Sequence, residues 1–210
     1  MKVRSVCRDC NLGWMSTLEQ ESKPIIGPLL HGSDIVAPMD ITQQSVVARW
    51  AVKTAMVGET IAPAPPKSGG YFYTRDECER LRVTSSIPLK TAVWLGKFSG
   101  VGLFGRGTHV WSAERDAIAK TVTHGHIFTL VLNHLAVQVL TVHILPEDGT
   151  TSLSVDQNNA PSGDWNDLTV PIWPTVGTVW WPPARSFTEG EGEVCWIGAL
   201  LNRFKVGRKL

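Results

Sequence analysis

Apolar residues recur at helical spacing over the first third of the chain and at strand spacing over much of the rest. Ser16-Thr17-Leu18-Glu19 has the Ser-x-x-Glu form of a capping box, which predicts a helix start. Pro24 is expected to interrupt that helix or to open a new one at its first position. Ile25, Ile26, Leu29 and Leu30 supply apolar contacts, and His31-Gly32 ends the run. A second helix is predicted from about Thr42 to Glu59. There Val46, Val47, Trp50, Ala51, Thr54 and Val57 form one apolar face. Pro63, Pro65 and Pro66, then Ser68-Gly69-Gly70, read as a linker.

Beyond the linker the pattern changes. Tyr71 to Tyr73 reads as a short strand, and Thr74 to Glu77 as a second capping box opening a helix to about Val83. Strands are predicted at Leu89 to Phe98 and Thr108 to Ser112. The glycine-rich stretch Gly100 to Gly107 between them reads as a hairpin turn. Ile127 to Leu132 and Leu135 to Leu145 predict a hairpin turning at Asn133-His134. Both of its faces are apolar, so it should be covered on both sides. Pro171 and Pro174 demote Val170 to Val179 to an edge or irregular segment. Val194 to Phe204 reads as a final helix. The expected fold is α+β, with a helical front (1–62), a linker (63–70) and a mainly antiparallel β body with a C-terminal helix (71–210).

Composition narrows the function classes. The chain has 210 residues, a hydrophobic content of 43%, and a formal net charge of +1. That fits a folded protein and gives no global basic signal for nucleic acid, so any phosphate contact must come from a local patch. The nine Trp read as core residues before they read as a binding face. No signal peptide is visible at the N-terminus. His126 to Leu145 is long enough to span a bilayer but carries His126, Asn133, His134, Gln138 and His143, which are costly in lipid. Its Val, Ile and Thr content favours strands. The expectation is a cytoplasmic protein with no membrane partner.

The clearest chemical signal is Cys7-x-x-Cys10, two thiolates spaced to grip one zinc ion from a tight turn. Cys10 runs into Asn11 and then a helix, the arrangement of the second half of a treble-clef finger. The segment Val6-Cys7-Arg8-Asp9-Cys10-Asn11-Leu12-Gly13-Trp14-Met15-Ser16-Thr17-Leu18-Glu19 resembles uncharacterised actinobacterial and phage proteins of the HNH-endonuclease type. The likeness extends through Lys23-Pro24, Trp50 to Met56, Val93 to Gly96, Gly125-His126 and Trp181 to Arg185. It implies a zinc shell completed by a further Cys pair, a catalytic His that activates water, and DNA as partner. Cys7 and Cys10 match the second zinc pair, and Asn11 matches the position beside the catalytic metal. Nothing here matches the first Cys pair or the catalytic His, and Trp14-Met15 stand where a Lys is common.

The resemblance therefore implies a truncated or degenerate protein that does not cleave by itself, or one whose zinc site another chain completes. A complete structural zinc site is worth about 10–16 kcal/mol; two ligands give far less, so the fold should not depend on it. The alternative is a non-catalytic interaction domain with a vestigial half-finger. His124-Gly125-His126 is a second candidate, because alternate strand residues share a face and two imidazoles there can bind metal. No acidic partner for them is evident within the strands.

Overall fold

A computed structural model describes residues 6–61, 71–115, 120–145, 165–175 and 177–187. The linker at 63–70, the helix expected at 194–204 and Cys195 lie outside these residues. What is described is α+β, as expected.

Helix formation begins at Cys7 rather than Ser16. Cys7 caps α1 (Arg8–Leu12), its Sγ accepting the Cys10 N–H at 3.2 Å. Gly13 closes that turn by donating its N–H to the Asp9 carbonyl at 2.9 Å. A Cβ at Gly13 would press on that same carbonyl, so only glycine fits. α2 (Trp14–Leu30) follows at once, and Ser16 already lies inside it. The capping box expected there does not form; Glu19 instead reaches across to Lys53 Nζ at 2.7 Å. α2 also runs through Pro24 and Pro28. Each proline removes an amide donor, at a cost of about 3 kcal/mol in a helix interior. Leu18, Ser22, Ile26 and Leu29, spaced by three or four, are buried and hold the helix in place. Gly32, at φ +69°, ends it as expected.

The front is not wholly helical. β1 (Ala37–Met39) pairs antiparallel with β5 (Val179–Trp181) near the far end of the described chain. Asp40 then caps α3 (Ile41–Ile61) reciprocally with Gln43: the Gln43 N–H donates to Asp40 Oδ1 at 2.8 Å, and the Asp40 N–H to Gln43 Oε1 at 3.0 Å. α4 (Arg75–Thr84) opens on the capping box predicted at Thr74 and Glu77. Tyr71 to Tyr73 form an irregular bend instead of a strand.

The sheet is built on two long strands, β2 (Thr91–Arg115) and β3 (Lys120–Leu145), paired antiparallel along their length. Their register runs from Thr91↔Thr141 to Lys97↔Leu135, breaks, and resumes from Gly102↔Asn133 to Arg115↔Lys120. Gly102 to Gly107 are thus paired strand, not a turn; the bend lies just ahead of them. β3 doubles back at Asn133-His134, where Asn133 has φ +53°. On one face Gln138 Nε2 donates to Thr129 Oγ1 at 2.9 Å. On the other, Tyr73 brings Thr141 and His126 together, and Phe72 does the same for His124 and His143. These are the residues that oppose one another across a hairpin centred on Asn133-His134. A straight strand would hold His124 and His143 roughly 60 Å apart. The turn docks on the end of α2: Asn133 Nδ2 donates to the Leu30 carbonyl at 2.6 Å.

α5 (Trp165–Leu168) leads into β4 (Thr169–Trp173), the edge neighbour of β2, and β6 (Ser186–Phe187) joins β2 in parallel. Both sheet faces are covered. Val93, Leu95, Phe128, Leu135, Val137 and Val139 pack under the helices with Val47, Ala51 and Ala55. Trp94, Phe98, Ile127, Val131 and Leu140 pack on the opposite face with Leu168 and Phe187. Among the described residues, no helix is long and apolar enough to cross a membrane.

Gly58 shows how tightly α3 meets the sheet. A Cβ there would run into the Phe128 ring. Alanine normally gains about 1 kcal/mol over glycine inside a helix. Here the overpacking outweighs that gain, and Gly58→Ala should destabilise by about 1–2 kcal/mol in urea unfolding.

Candidate functional site

The structure offers two chemically distinct places. The first is the Cys turn. Cys7 is exposed and Cys10 is partly so, on the first turn of α1. Hydrogen bonds from Cys10 lower the Cys7 thiol pKa from its usual value, whereas the bond to Cys7, followed by burial, raises that of Cys10. The thiolate, the form that binds metal, is therefore easier to form at Cys7 than at Cys10. Asn11 is exposed on the same helix, its backbone N–H bonded to the Cys7 carbonyl at 3.0 Å. Behind the turn lies a cleft of about 260 Å³ lined by residues including Trp14, Glu21, Arg49, Arg82 and Ser85. Arg82 faces the Cys10 thiol electrostatically and is itself paired with Glu79. The third cysteine, Cys78, is half-buried beside Met56, with Sγ 3.9 Å from Sδ. Burial, then the carboxylates of Glu77 and Glu59, push its thiol up, so it is not a reactive centre.

The second place gathers four of the six histidines at the end of the sheet remote from the Asn133-His134 turn. His109 comes from β2, and His124, His126 and His143 from the two halves of β3. The bend between α3 and α4 lays Phe72 among them. Its ring stacks on His143 with centroids 4.1 Å apart and meets His124 edge-on at 4.7 Å. Carboxylates arrive from the helices, which is why no acidic partner could be read from the strands. His143 Nε2 lies 2.8 Å from Glu77 Oε1, and His109 Nε2 lies 3.7 Å from Glu59 Oε1. Glu59 is buried and also accepts the backbone N–H groups of Phe72 and Tyr73, so it fixes the bend as well as facing His109.

The two histidines singled out from sequence part company here. His124 Nε2 lies 3.0 Å from His109 Nδ1. His126 turns its Nδ1 to the Tyr73 hydroxyl at 3.5 Å, and its other edge fills the space left by Gly107. Burial pushes the His124 pKa down to about 4, helped by His109 and His143. The more deeply buried His126 is pushed down to about 3, with His109 and His124 contributing. Both shifts favour the neutral imidazole at physiological pH. Burial pushes the Tyr73 hydroxyl well up, so it acts only as a neutral hydrogen-bonding group against Thr141 and His126.

Sequence reading missed His109, Glu59, Glu77, Phe72 and Tyr73 as members of this cluster. One signal was available: Glu77 had already been placed at the third position of a helix, which aims its carboxylate back toward the preceding bend. Among the described residues, no three His, Cys, Asp or Glu side chains are arranged to hold one metal ion. Comparison with protein-family models, curated proteins and solved structures finds no match to this chain.

Proposed function

We propose that this chain is a cytoplasmic protein of nucleic-acid metabolism related to the HNH endonucleases, in a phage or mobile-element setting. In this reading Cys7 and Cys10 supply two of four zinc ligands. The observation that carries it is the Cys turn at the head of a helix. Both sulfurs are accessible, and the Cys10 amide donates to Cys7 Sγ at 3.2 Å, a contact that stabilises the thiolate form of Cys7. That donor set suits zinc. The remaining two ligands come from a polypeptide segment outside the described residues or from a second chain. Asn11 marks the helix that carries the active-site edge in HNH proteins. The 210 residues contain no match to the catalytic histidine, so they bind DNA without cutting it. Zinc, when bound, ties the front turn together; the body positions α1 and α2 against it.

Cobalt substitution tests the metal claim. Cobalt added to the reduced, untagged chain should give a near-ultraviolet thiolate-to-cobalt absorption band that zinc abolishes. The band should be absent in Cys7→Ser and Cys10→Ser. Cobalt absorption with no thiolate band in the wild type would refute the role given to the two sulfurs.

A further inference from the structure

We propose that the histidine cluster is an acid-sensitive latch: in mildly acid solution, protonation of its imidazoles frees the bend at 71–73 and the first turn of α4 from the end of the sheet. The bend is held in three ways. Glu59 of α3 accepts the Phe72 and Tyr73 N–H groups. The Phe72 ring lies among all four imidazoles, stacked on His143 at 4.1 Å and tilted over His126 at 5.6 Å. The Tyr73 ring meets His126 edge-on at 5.4 Å, and its hydroxyl contacts both His126 Nδ1 and Thr141 Oγ1. Glu77 then ties the first turn of α4 to His143 at 2.8 Å. Phe72 and Tyr73 thus cover the imidazoles, and the imidazoles in turn seat the two rings.

Such a seat tolerates few protons. The 3.0 Å contact between His109 Nδ1 and His124 Nε2 is a hydrogen bond through one ring proton, so one of the two nitrogens stays bare. A second proton there would set two N–H groups head-on. The described titratable groups around the imidazoles come from three elements. Glu59 of α3 faces His109 Nε2 at 3.7 Å, Glu77 of α4 faces His143, and the Tyr73 hydroxyl of the bend faces His126. Cys78 of α4 lies beside the two carboxylates. Burial and the neighbouring imidazoles hold His124 and His126 below the usual 6.5. Lifting the bend rehydrates both rings and returns them toward that value. A histidine that titrates lower in the closed state than in the open one favours closure fully above the open-state value. That advantage is lost as pH falls from about 6.5 toward the closed-state values of about 4 and about 3. Between pH 7 and pH 5 the opening constant should rise by roughly 20-fold for each histidine fully released. The Glu77 carboxyl, held below 4.5, keeps its charge through that window.

The test is amide hydrogen exchange of the full wild-type chain, read by nuclear magnetic resonance and corrected for the intrinsic effect of pH on exchange. The Phe72 and Tyr73 N–H groups report the latch directly, because Glu59 accepts both. Their protection should fall by about tenfold or more from pH 7 to pH 5, while residues 135–139, paired within the sheet, keep theirs. His124→Gln and His126→Gln should each flatten that pH dependence. Because either variant can lose its fold, the ring C–H resonances of the wild type supply a second readout. His124 and His126 should stay uncharged while the bend is closed and take up protons as it opens. Protection of Phe72 and Tyr73 that does not change with pH, loss of protection across the sheet at the same time, or His126 charging near pH 6.5 with the bend still closed would overturn the latch. So would a pH dependence that survives both variants. Neither Cys7 nor Cys10 takes part, so failure here is distinct from failure of the proposed function.

Discussion

Phe72→Ala is expected to cost about 3–5 kcal/mol in urea or thermal unfolding, the range for emptying a fully buried aromatic position. Phe72 is 3% exposed and touches His109, His124, His126 and His143 as well as Tyr73. Its removal leaves a void where the bend between α3 and α4 meets the end of the sheet. It also removes the ring that separates His143 from His124. Phe72→Leu should recover a good part of the loss, because it refills volume without restoring the ring contacts. A loss under about 1 kcal/mol for the alanine variant would mean that the bend between α3 and α4 does not close on the histidines.

Glu77→Ala should cost about 2–3 kcal/mol. The side chain completes the reciprocal cap of α4, accepting the Thr74 N–H and hydroxyl at 2.9 Å each, while its other oxygen meets His143 at 2.8 Å. Loss of a cap is worth about 1 kcal/mol, and a hydrogen bond to a charged group about 1.5–3 kcal/mol. The interaction also sets a pH dependence. Burial alone would raise the Glu77 carboxyl, but the His143 and Thr74 contacts outweigh it and hold it below the ordinary 4.5. A carboxyl that titrates lower in the folded than in the unfolded state stabilises the fold fully above the unfolded value. The contribution is lost as pH falls through the folded value. Glu77→Gln keeps the capping geometry and loses the charge. Its deficit against the wild type should therefore shrink as pH falls below about 4.5, as guanidinium denaturation at stepped pH will show. A deficit that grows on acidification would contradict the assignment.

Much of the fold was legible because local chemistry and tertiary packing agree. Thr74 and Glu77 form their cap, His31-Gly32 end α2, the apolar face predicted on α3 is buried at Val47, Trp50 and Ala51 and half-buried at Val46, Thr54 and Val57, and Pro171 lies on an edge strand. The misreadings are places where packing overrode a local signal. Pro24 stays helical because Ile26 and Leu29 are held in the core. Ser16 and Glu19 spell a cap, but Cys7 and Gly13 start the helices earlier. The glycines from Gly102 to Gly107 looked like a turn because glycine serves both turns and close approach. Gly107 is glycine because the His126 ring occupies the space above it.

The candidate sites divide in the same way. The Cys turn is local in sequence and could be read directly. The histidine cluster was legible only in part: the predicted hairpin brings His143 toward His124 and His126, but His109 joins through the register of β2 against β3, and the carboxylates come from two helices. His124 and His126 share a face, as alternation requires, yet the side-chain contacts that separate their roles come from β2 and from Tyr73.

The proposed HNH-like role predicts contact with DNA, and fluorescence anisotropy of a labelled duplex titrated with the full chain over stepped salt tests it most directly. The account predicts saturable binding whose logarithm falls linearly with the logarithm of salt, by close to 0.9 per phosphate neutralised, and no cleavage of the duplex. Absence of binding at low salt, or an affinity that salt does not change, would contradict it.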